Sequence, residues 1–254
     1  MRLKTTYFIA FLAVQSFFFN ITAQGLYQKG EIILDNGKME AAFIQMDYAF
    51  PQRFQNGITY MSPKTYAKYL KKGKVKNKKK IKLKPKEING FQLDNGQRFS
   101  SIKYMDMTGK IKKMLPKRFI VEQIAEGKID LYKLYSRTTG KISYELADLT
   151  HEANLSAEGR RNLISYIQNN FQLLIKKEHK NPRNVVHINL LNFIGDNATV
   201  KENYDNNFYG LRNQFSEELK EGKLVNKTYE ASFLKMINDY NSGKGGTSGE
   251  DARK

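Results

Sequence analysis

Between residues 30 and 135, short apolar runs alternate with polar residues, and turn sequences separate one run from the next. Alternation with a period of two is typical of strands that bury one face. Asn36–Gly37 and Asn95–Gly96 can supply the positive φ angles of tight hairpin turns, and Glu126–Gly127 separates a third pair of runs. This half of the chain is therefore predicted to hold roughly six to eight short antiparallel strands, arranged as a sandwich or a half-barrel.

The spacing of apolar positions changes from two to three and four after residue 155. Such spacing places apolar side chains on one face of a helix, which we predict from Ser156, a suitable N-cap, to Lys177. Two further helices are predicted at residues 208–221 and 228–240. Their aromatic side chains would cover a face of the sheet or dock a partner protein of the envelope. The predicted fold class is α+β, with an antiparallel β-rich N-terminal half followed by a three-helix C-terminal half.

Three connecting segments have weaker patterns. Residues 142–146 resemble one more strand after a Thr-Gly turn, and residues 195–207 resemble a polar loop. Residues 185–194 fit either a strand or a buried helical turn, because a short apolar run has no clear period.

The first 23 residues have the organisation of a secretory signal peptide. Arg2 and Lys4 precede an apolar run of 13 residues, and Ala23 ends the segment. The run is shorter than the roughly 20 residues that span a membrane, and an uncleaved N-terminal anchor is the alternative. We therefore predict export and a mature chain that begins near Gln24.

By the same patterns the rest of the chain divides into a β-rich domain at residues 24–148, a helical region at 149–240 and a disordered tail at 241–254. The chain contains no cysteine. Disulfide bonds, a lipoprotein anchor, cysteine-based catalysis and thiolate metal sites are therefore excluded.

The formal net charge of +18 is concentrated in one part of the chain. Residues 48–86 contain Arg53, twelve lysines and no acidic residue. A short helix is predicted to begin at Ser62 and to end at Gly73, and a strand at residues 80–86 would have one packed face and one lysine face. The predicted anion-binding face consists of nine lysines: Lys71, Lys72, Lys74, Lys76, Lys78, Lys79, Lys80, Lys82 and Lys84.

Two interpretations of these lysines stay open. As a functional surface they would bind a polyanion, which at an envelope means lipopolysaccharide, an acidic glycan or the membrane surface. Nucleic acid is chemically compatible with lysine, but export argues against it. Alternatively, the lysines form a solvated face whose charge discourages pairing between sheet edges.

Motifs for catalysis are scarce. His151, His179 and His187 lack the spacing of a helical metal site, and His187, between apolar neighbours, is expected to be a buried core or interface residue. No nucleophile elbow, phosphate loop or zinc-protease motif occurs. The sequence thus predicts no catalytic residue, cofactor or metal, and it favours a non-enzymatic binding or assembly module. The alternative is a hydrolase that uses two carboxylates on envelope polymers.

Two phrases in the β-rich half resemble an uncharacterised family of exported proteins of Gram-negative bacteria. Pro85-Lys-Glu-Ile-Asn-Gly-Phe91 is similar to the family's Pro-x-Glu-Ile-x-Gly-Phe, and Glu126-Gly-Lys-Ile-Asp-Leu-Tyr132, after Phe119, to its Phe…Glu-Gly-x-Ile-x-Leu-Tyr. The first Asn-Gly hairpin is similar as well. The resemblance covers residues 30–135 and implies a β scaffold and a location in the periplasm or at the outer membrane. It implies no activity.

Overall fold

The computed structural model describes residues 26–105, 115–135, 144–211 and 224–243. These residues form an antiparallel sheet and a set of helices, most of them after residue 143, which confirms the predicted α+β class. The ten strands are β1 (Tyr27–Leu34), β2 (Met39–Gln45), β3 (Ile58–Met61), β4 (Ile81–Leu83), β5 (Ile88–Leu93), β6 (Arg98–Tyr104), β7 (Lys117–Ala125), β8 (Ile129–Tyr135), β9 (Phe171–Lys177) and β10 (Arg183–Asn184).

The helices of the described residues range from one turn to sixteen residues. They are α1 (Gln52–Gln55), α2 (Pro63–Lys72), α3 (Tyr144–Leu155), α4 (Ala157–Asn169), α5 (Leu191–Ile194), α6 (Ala198–Asp205) and α7 (Lys227–Ser242), with 3-10 turns at Asn77–Lys79, Pro85–Glu87 and Val185–His187. The predicted helix at residues 228–240 is confirmed as α7.

All ten strands belong to one sheet, in the order β10-β9-β8-β7-β6-β5-β1-β2-β3-β4. Every neighbouring pair is antiparallel, and only β1 and β5 are neighbours without being consecutive along the chain. The two edges of the sheet are therefore β4 and β10. Each edge strand is short, as is usual where backbone groups face no further strand.

Both Asn-Gly hairpins form, but only the glycine of each turn has a positive φ, so the predicted type I′ turn, which needs positive φ at both positions, is wrong. Gly37 and Gly96 have φ angles of 81° and 89°, a region that residues with a Cβ rarely adopt. In each turn the asparagine side chain accepts a hydrogen bond from the backbone N–H two residues later, at 2.9 and 3.0 Å. The third predicted pair is β7 with β8, whose register shifts between Gln123 and Ala125.

The main core lies between one face of the sheet and the helices. It includes Leu163 of α4, Val200 of α6 and Phe233 of α7. Phe54 of α1 packs edge-on against aromatic rings of β6 and β8, with centroids 6.0 and 6.3 Å apart. The described strands belong to one continuous sheet, which fits the predicted half-barrel better than a sandwich of two separate sheets.

Two smaller apolar clusters complete the packing. On the opposite face, a cluster from β6 to β9 includes the fully buried Val121, Leu134 and Leu174. The other cluster lies under α2, where the ring of Tyr66 stacks on Phe43 with 3.8 Å between centroids. This contact holds α2 on the sheet through its apolar face.

The prediction of one helix from Ser156 to Lys177 is wrong in its second part. α4 begins as expected, because the Ser156 hydroxyl accepts a hydrogen bond from the N–H of Gly159 at 2.9 Å, but it ends at Asn169. The next residues form β9, which pairs with seven residues of β8. An apolar run that is buried on both faces has no distinct period, so the pairing with β8 decides its conformation.

Three other segments differ from their predictions, and a fourth agrees with one of its two alternatives. Residues 144–146, expected in a strand, begin α3. Residues 198–205, expected in a loop, form α6 with Asn197 as its N-cap. Residues 185–194 contain a 3-10 turn and α5, which supports the helical-turn alternative. Residues 208–211, expected to open a helix, are not helical.

Several predictions fall on residues outside the described ranges. They are the signal peptide at residues 1–23, most of the predicted helix at 208–221 and the part of the predicted tail beyond residue 243. The predicted start of that tail is too early, because Asn241 and Ser242 belong to α7. Within the described ranges, no helix is both long enough and apolar enough to cross a membrane.

Candidate functional site: a lysine-rich edge and a cavity at the opposite edge

The lysine-rich segment, residues 64–86, runs through four short elements at the β4 edge. Lys71 and Lys72 occupy the last turn of α2, where cations interact favourably with the helix dipole. Gly73 ends that helix with a φ of 65°. The chain then continues through the 3-10 turn Asn77–Lys79, the edge strand β4 and a second 3-10 turn. The lysines close in sequence thus stay close along one border of the sheet.

The nine predicted anion-binding lysines are almost all exposed: eight belong to the exposed class, and Lys80 is half-buried. Among the ion pairs between described residues, none involves a lysine of this segment. Other exposed cations do pair, such as Lys29 with Asp94 at 2.8 Å and Lys201 with Asp205 at 2.7 Å. The lysine-rich segment is therefore a surface of positive charge that no described carboxylate neutralises at close range.

The predicted strand with one packed face is only partly correct. β4 spans three residues, its Ile81 side chain is 42% exposed, and only Leu83 packs against the main core. The backbone is nevertheless anchored, since the carboxylate of Glu87 accepts a hydrogen bond from the N–H of Lys84 at 2.6 Å. The carbonyl of Pro85 accepts another from the hydroxyl of Ser101. An anchored backbone thus carries exposed lysine side chains.

A cavity of about 460 Å³ lies near the other edge of the sheet, beside β10. We call it the β10 cavity. The described residues that line it come from the end of β6, the residue before β7 and the segment around β10: Lys103, Tyr104, Met105, Pro116, Asn181, Pro182, Arg183, Asn184 and His187. None of these residues is acidic. A second depression of about 500 Å³ shares Asn181, Arg183 and His187 and adds Lys180.

A buried set of hydrogen bonds supports one wall of the β10 cavity. The Oε1 atom of Gln172, on β9, accepts from the Tyr104 hydroxyl and from the Asn184 amide, both at 3.2 Å. Asn184 also accepts from the backbone N–H of Val186 at 3.0 Å. All three side chains are at least 95% buried. Hydrogen bonds between buried polar groups restrict their rotamers, so this wall is held in place.

His187 is exposed, so the expected core position is wrong, while the alternative of an interface histidine stays a prediction. Val185 of the same segment enters the core instead and is 1% exposed. The segment is a 3-10 turn, in which side chains do not alternate between two faces as they do in a strand. His187 lines the β10 cavity and the second depression.

Sequence reasoning missed two ion pairs that buried lysines of the sheet make with the helical part of the chain. Lys133 of β8 and Lys177 of β9 pair with Glu230 at 3.0 Å and with Asp196 at 2.8 Å. Their partners lie 97 and 19 residues away in sequence. A lysine inside a buried strand is a usable signal for such a pair, but it does not identify the partner.

Asp47 and Glu122 are the buried carboxylates of the described residues. Asp47 pairs with Arg53 at 2.7 Å and with Arg160 of α4 at 2.6 Å, which ties the segment after β2 to the helical layer. Glu122 accepts hydrogen bonds from the Gln97 amide at 3.0 Å and from the Tyr135 hydroxyl. Burial, followed by the charge of Glu122, raises the pKa of Tyr135, which therefore stays protonated as a donor.

Within the part of the chain that the structure describes, no cluster of three or more histidine and acidic side chains is placed to hold a metal ion. Comparison of the chain with protein-family models, curated proteins and solved structures gave no match.

Proposed function

We propose that the protein is a non-enzymatic, exported binding or assembly module of the bacterial envelope, and that its lysine-rich segment binds a polyanion. One observation carries the proposal. The lysines are adjacent and exposed, and they have no ion-pair partner among the described residues. A dense cationic surface attracts counterions at all times, and a polyanion gains affinity by replacing them.

The chemistry of lysine indicates the class of ligand. An ammonium group is a compact point charge with rotatable donors, and it imposes less geometry than an arginine fork. A row of lysines on short elements therefore suits a ligand with repeated negative charges and a tolerant shape. Lipopolysaccharide, an acidic glycan and an anionic membrane surface share this property, and the predicted export makes all three accessible.

Substitution of these lysines should weaken binding to an anionic surface by an amount that can be estimated from the charge removed. Each lysine near such a surface contributes about 1 kcal/mol, so three substitutions should weaken binding on the order of a hundredfold. The effect should shrink as salt rises, because the Debye length falls to roughly 8 Å at physiological ionic strength.

The test uses the chain from Gln24 onward and a triple variant in which Lys78, Lys79 and Lys82 are replaced by glutamine. Binding is measured by co-sedimentation with vesicles of phosphatidylcholine and phosphatidylglycerol in a 3:1 ratio, and with vesicles of phosphatidylcholine alone. Dextran sulfate and purified lipopolysaccharide are added as competitors, so the order of competition separates a membrane from a polymer as the preferred polyanion.

A matched triple variant controls for net charge. Lys128, Arg161 and Lys227 are also exposed, lack an ion pair among the described residues and lie in three separate places, namely the turn between β7 and β8, α4 and α7. Their replacement by glutamine removes the same charge without touching the lysine-rich segment. The proposal predicts a large loss for the first triple variant and a small loss for the second. Equal losses, or no salt-sensitive binding to any of the anions, would overturn it.

Export is part of the proposal and has its own measurement. When the full chain is expressed in a Gram-negative host, the N-terminal sequence of the recovered protein should begin near Gln24, and the protein should fractionate with the envelope. A cytoplasmic protein with Met1 intact would refute this part and would remove the envelope ligands from consideration.

A further inference from the structure

We infer that the β10 cavity binds a small amphiphilic anion, that is, one carboxylate, phosphate or sulfonate group attached to a compact apolar body. This site is separate from the lysine-rich segment, which lies at the other end of the strand order. It also requires a different ligand, because a cavity encloses one small molecule whereas an exposed edge binds an extended one.

The size of the cavity suits a small molecule. Its volume of about 460 Å³ is within the range of roughly 300–1,000 Å³ that small-molecule sites occupy. Apolar surface comes from Met105, Pro116 and Pro182 together with the ring of Tyr104. Such a lining can desolvate the apolar body of a ligand, and each buried methylene contributes favourably to binding.

The charge around the cavity selects an anion. Lys103 and Arg183 line it from β6 and β10, are exposed and lack ion-pair partners among the described residues. Arg183 also lines the second depression, where Lys180 adds a further cation. The guanidinium group can hold a carboxylate or a phosphate through two parallel hydrogen bonds, while the lysine adds charge.

The polar wall is held by hydrogen bonds within the protein. Asn184 and Tyr104 are held by their common bond to Gln172, so they need not be ordered when a ligand binds. A preformed wall lowers the entropic cost of binding. The cations at the cavity come from positions 103 and 183, which only the folding of the sheet brings to one place. This assembly from distant strands distinguishes the cavity from a run of basic residues.

The probe is 8-anilinonaphthalene-1-sulfonate, an aromatic molecule with one sulfonate group, whose fluorescence rises in an apolar environment. Titration of the chain from Gln24 onward should give a saturable site with one dye per protein. Octanoate should displace the dye, and octanol, which has the same chain without the charge, should displace it at least tenfold less effectively.

Two substitutions define the place of binding. Arg183→Gln together with Lys103→Gln should lower the affinity for the dye and for octanoate tenfold to a hundredfold, since hydrogen bonds to charged groups are stronger than those between neutral groups. Arg183→Lys alone should weaken binding less, because it keeps the charge and loses the fork. The glutamine triple variant at Lys78, Lys79 and Lys82 should bind the dye as the unmodified protein does, which separates this test from that of the lysine-rich segment.

Two results would overturn the inference. One is dye affinity in the Arg183 and Lys103 double variant that stays within twofold of the unmodified protein. The other is equal displacement by octanoate and octanol, which would show that the dye site does not recognise a negative charge. Far-ultraviolet circular dichroism of each variant confirms that the compared proteins are folded.

Discussion

The two edges of the sheet both carry positive charge, but they acquire it in different ways. At the β4 edge, the lysines follow one another along residues 64–86 and stand exposed on a short strand and two 3-10 turns. At the β10 edge, Lys103 comes from β6 and Lys180 and Arg183 come from the segment around β10, and these cations line cavities. The first edge is dense in charge and open, whereas the second has fewer charges and an enclosed space.

This difference indicates what each edge can recognise. An open row of point charges discriminates by charge density, because nothing around it restricts the shape of the ligand. A cavity with an apolar lining and a fixed amide wall discriminates by shape and by the position of one charge. The contacts that hold the edges differ too. Buried side-chain hydrogen bonds hold the wall at β10, whereas pairing with β3 and local hydrogen bonds to the backbone hold β4.

The largest stability effect is expected from Asn184→Ala at the β10 edge. The substitution removes a bond to Gln172 and the acceptor for the N–H of Val186, in a site that is 4% exposed. Loss of buried hydrogen-bond partners should lower the free energy of unfolding by about 2–3 kcal/mol. Urea unfolding measures it, and dye binding at the β10 cavity should weaken in parallel. A change below about 0.5 kcal/mol would contradict the claim that this wall is structural.

A smaller effect is expected from Asp196→Asn, next to the same edge. The hydrogen bond from Lys177 lowers the pKa of Asp196 below its ordinary value of 3.8. Burial opposes the charged form of Lys177, but its bonds to Asp196 and Tyr240 raise the pKa of Lys177 overall. Because the Asp196 side chain is 60% exposed, solvent screens the pair, and we expect a loss of about 1 kcal/mol at pH 7.

The pH dependence follows from the direction of the Asp196 shift. A carboxyl group whose pKa is lowered on folding stabilises the protein above its unfolded pKa, and this contribution disappears as the pH falls through the folded value. The difference between Asp196→Asn and the unmodified protein should therefore be constant from pH 5 to pH 7 and should shrink below pH 3.8. Urea midpoints measured from pH 2.5 to pH 7 test this, and a difference that grows in acid would contradict it.

At the β4 edge, Ser62→Ala should cost about 1 kcal/mol. Ser62 caps α2, and its hydroxyl accepts a hydrogen bond from the N–H of Thr65 at 3.4 Å. Loss of such a cap typically costs this amount. Thermal unfolding provides the measurement. Polyanion binding should change little, because the lysines lie downstream of the cap. A variant that loses binding and keeps its stability would show that the helix start orients the lysine-rich segment.

The smallest effect on stability is expected from Lys82→Val, within about 0.5 kcal/mol, because the side chain is exposed on an edge strand. The substitution nevertheless removes a charge that keeps β4 from pairing with another copy. Sedimentation velocity should detect association that grows with protein concentration, while Lys82→Arg, which keeps the charge, should sediment as the unmodified protein does. If Lys82→Val does not associate, protection of the edge is not the reason for this lysine.

Local patterns in the sequence were sufficient for the hairpins and for several helix ends. The turns at Asn36–Gly37 and Asn95–Gly96 form because the positive φ angle that each requires is a property of its glycine. Ser62 and Ser156 begin helices because their hydroxyl groups accept hydrogen bonds from backbone N–H groups that lack a partner within the helix. These features need only a few neighbouring residues, so they can be predicted without the rest of the chain.

Features that depend on distant partners could not be predicted in this way. The apolar positions of Phe171–Lys177 also fit a helical period. The segment is nevertheless a strand, because seven of its residues pair with the backbone of β8. The network of Tyr104, Gln172 and Asn184 joins three strands, and the lining of the β10 cavity joins residues near positions 103 and 183. Such contacts arise only after the sheet has brought these segments together.

By itself, the sequence determined the α+β class, the hairpin turns and the concentration of lysine in residues 64–86, because each follows from residues that are close along the chain. Only the tertiary structure decided that this segment borders the sheet, that β9 is a strand, and that Arg183 and Lys103 line one cavity. The physical reason is that short-range preferences have similar energies for helix and strand in an apolar run. Long-range pairing and burial then select one of them.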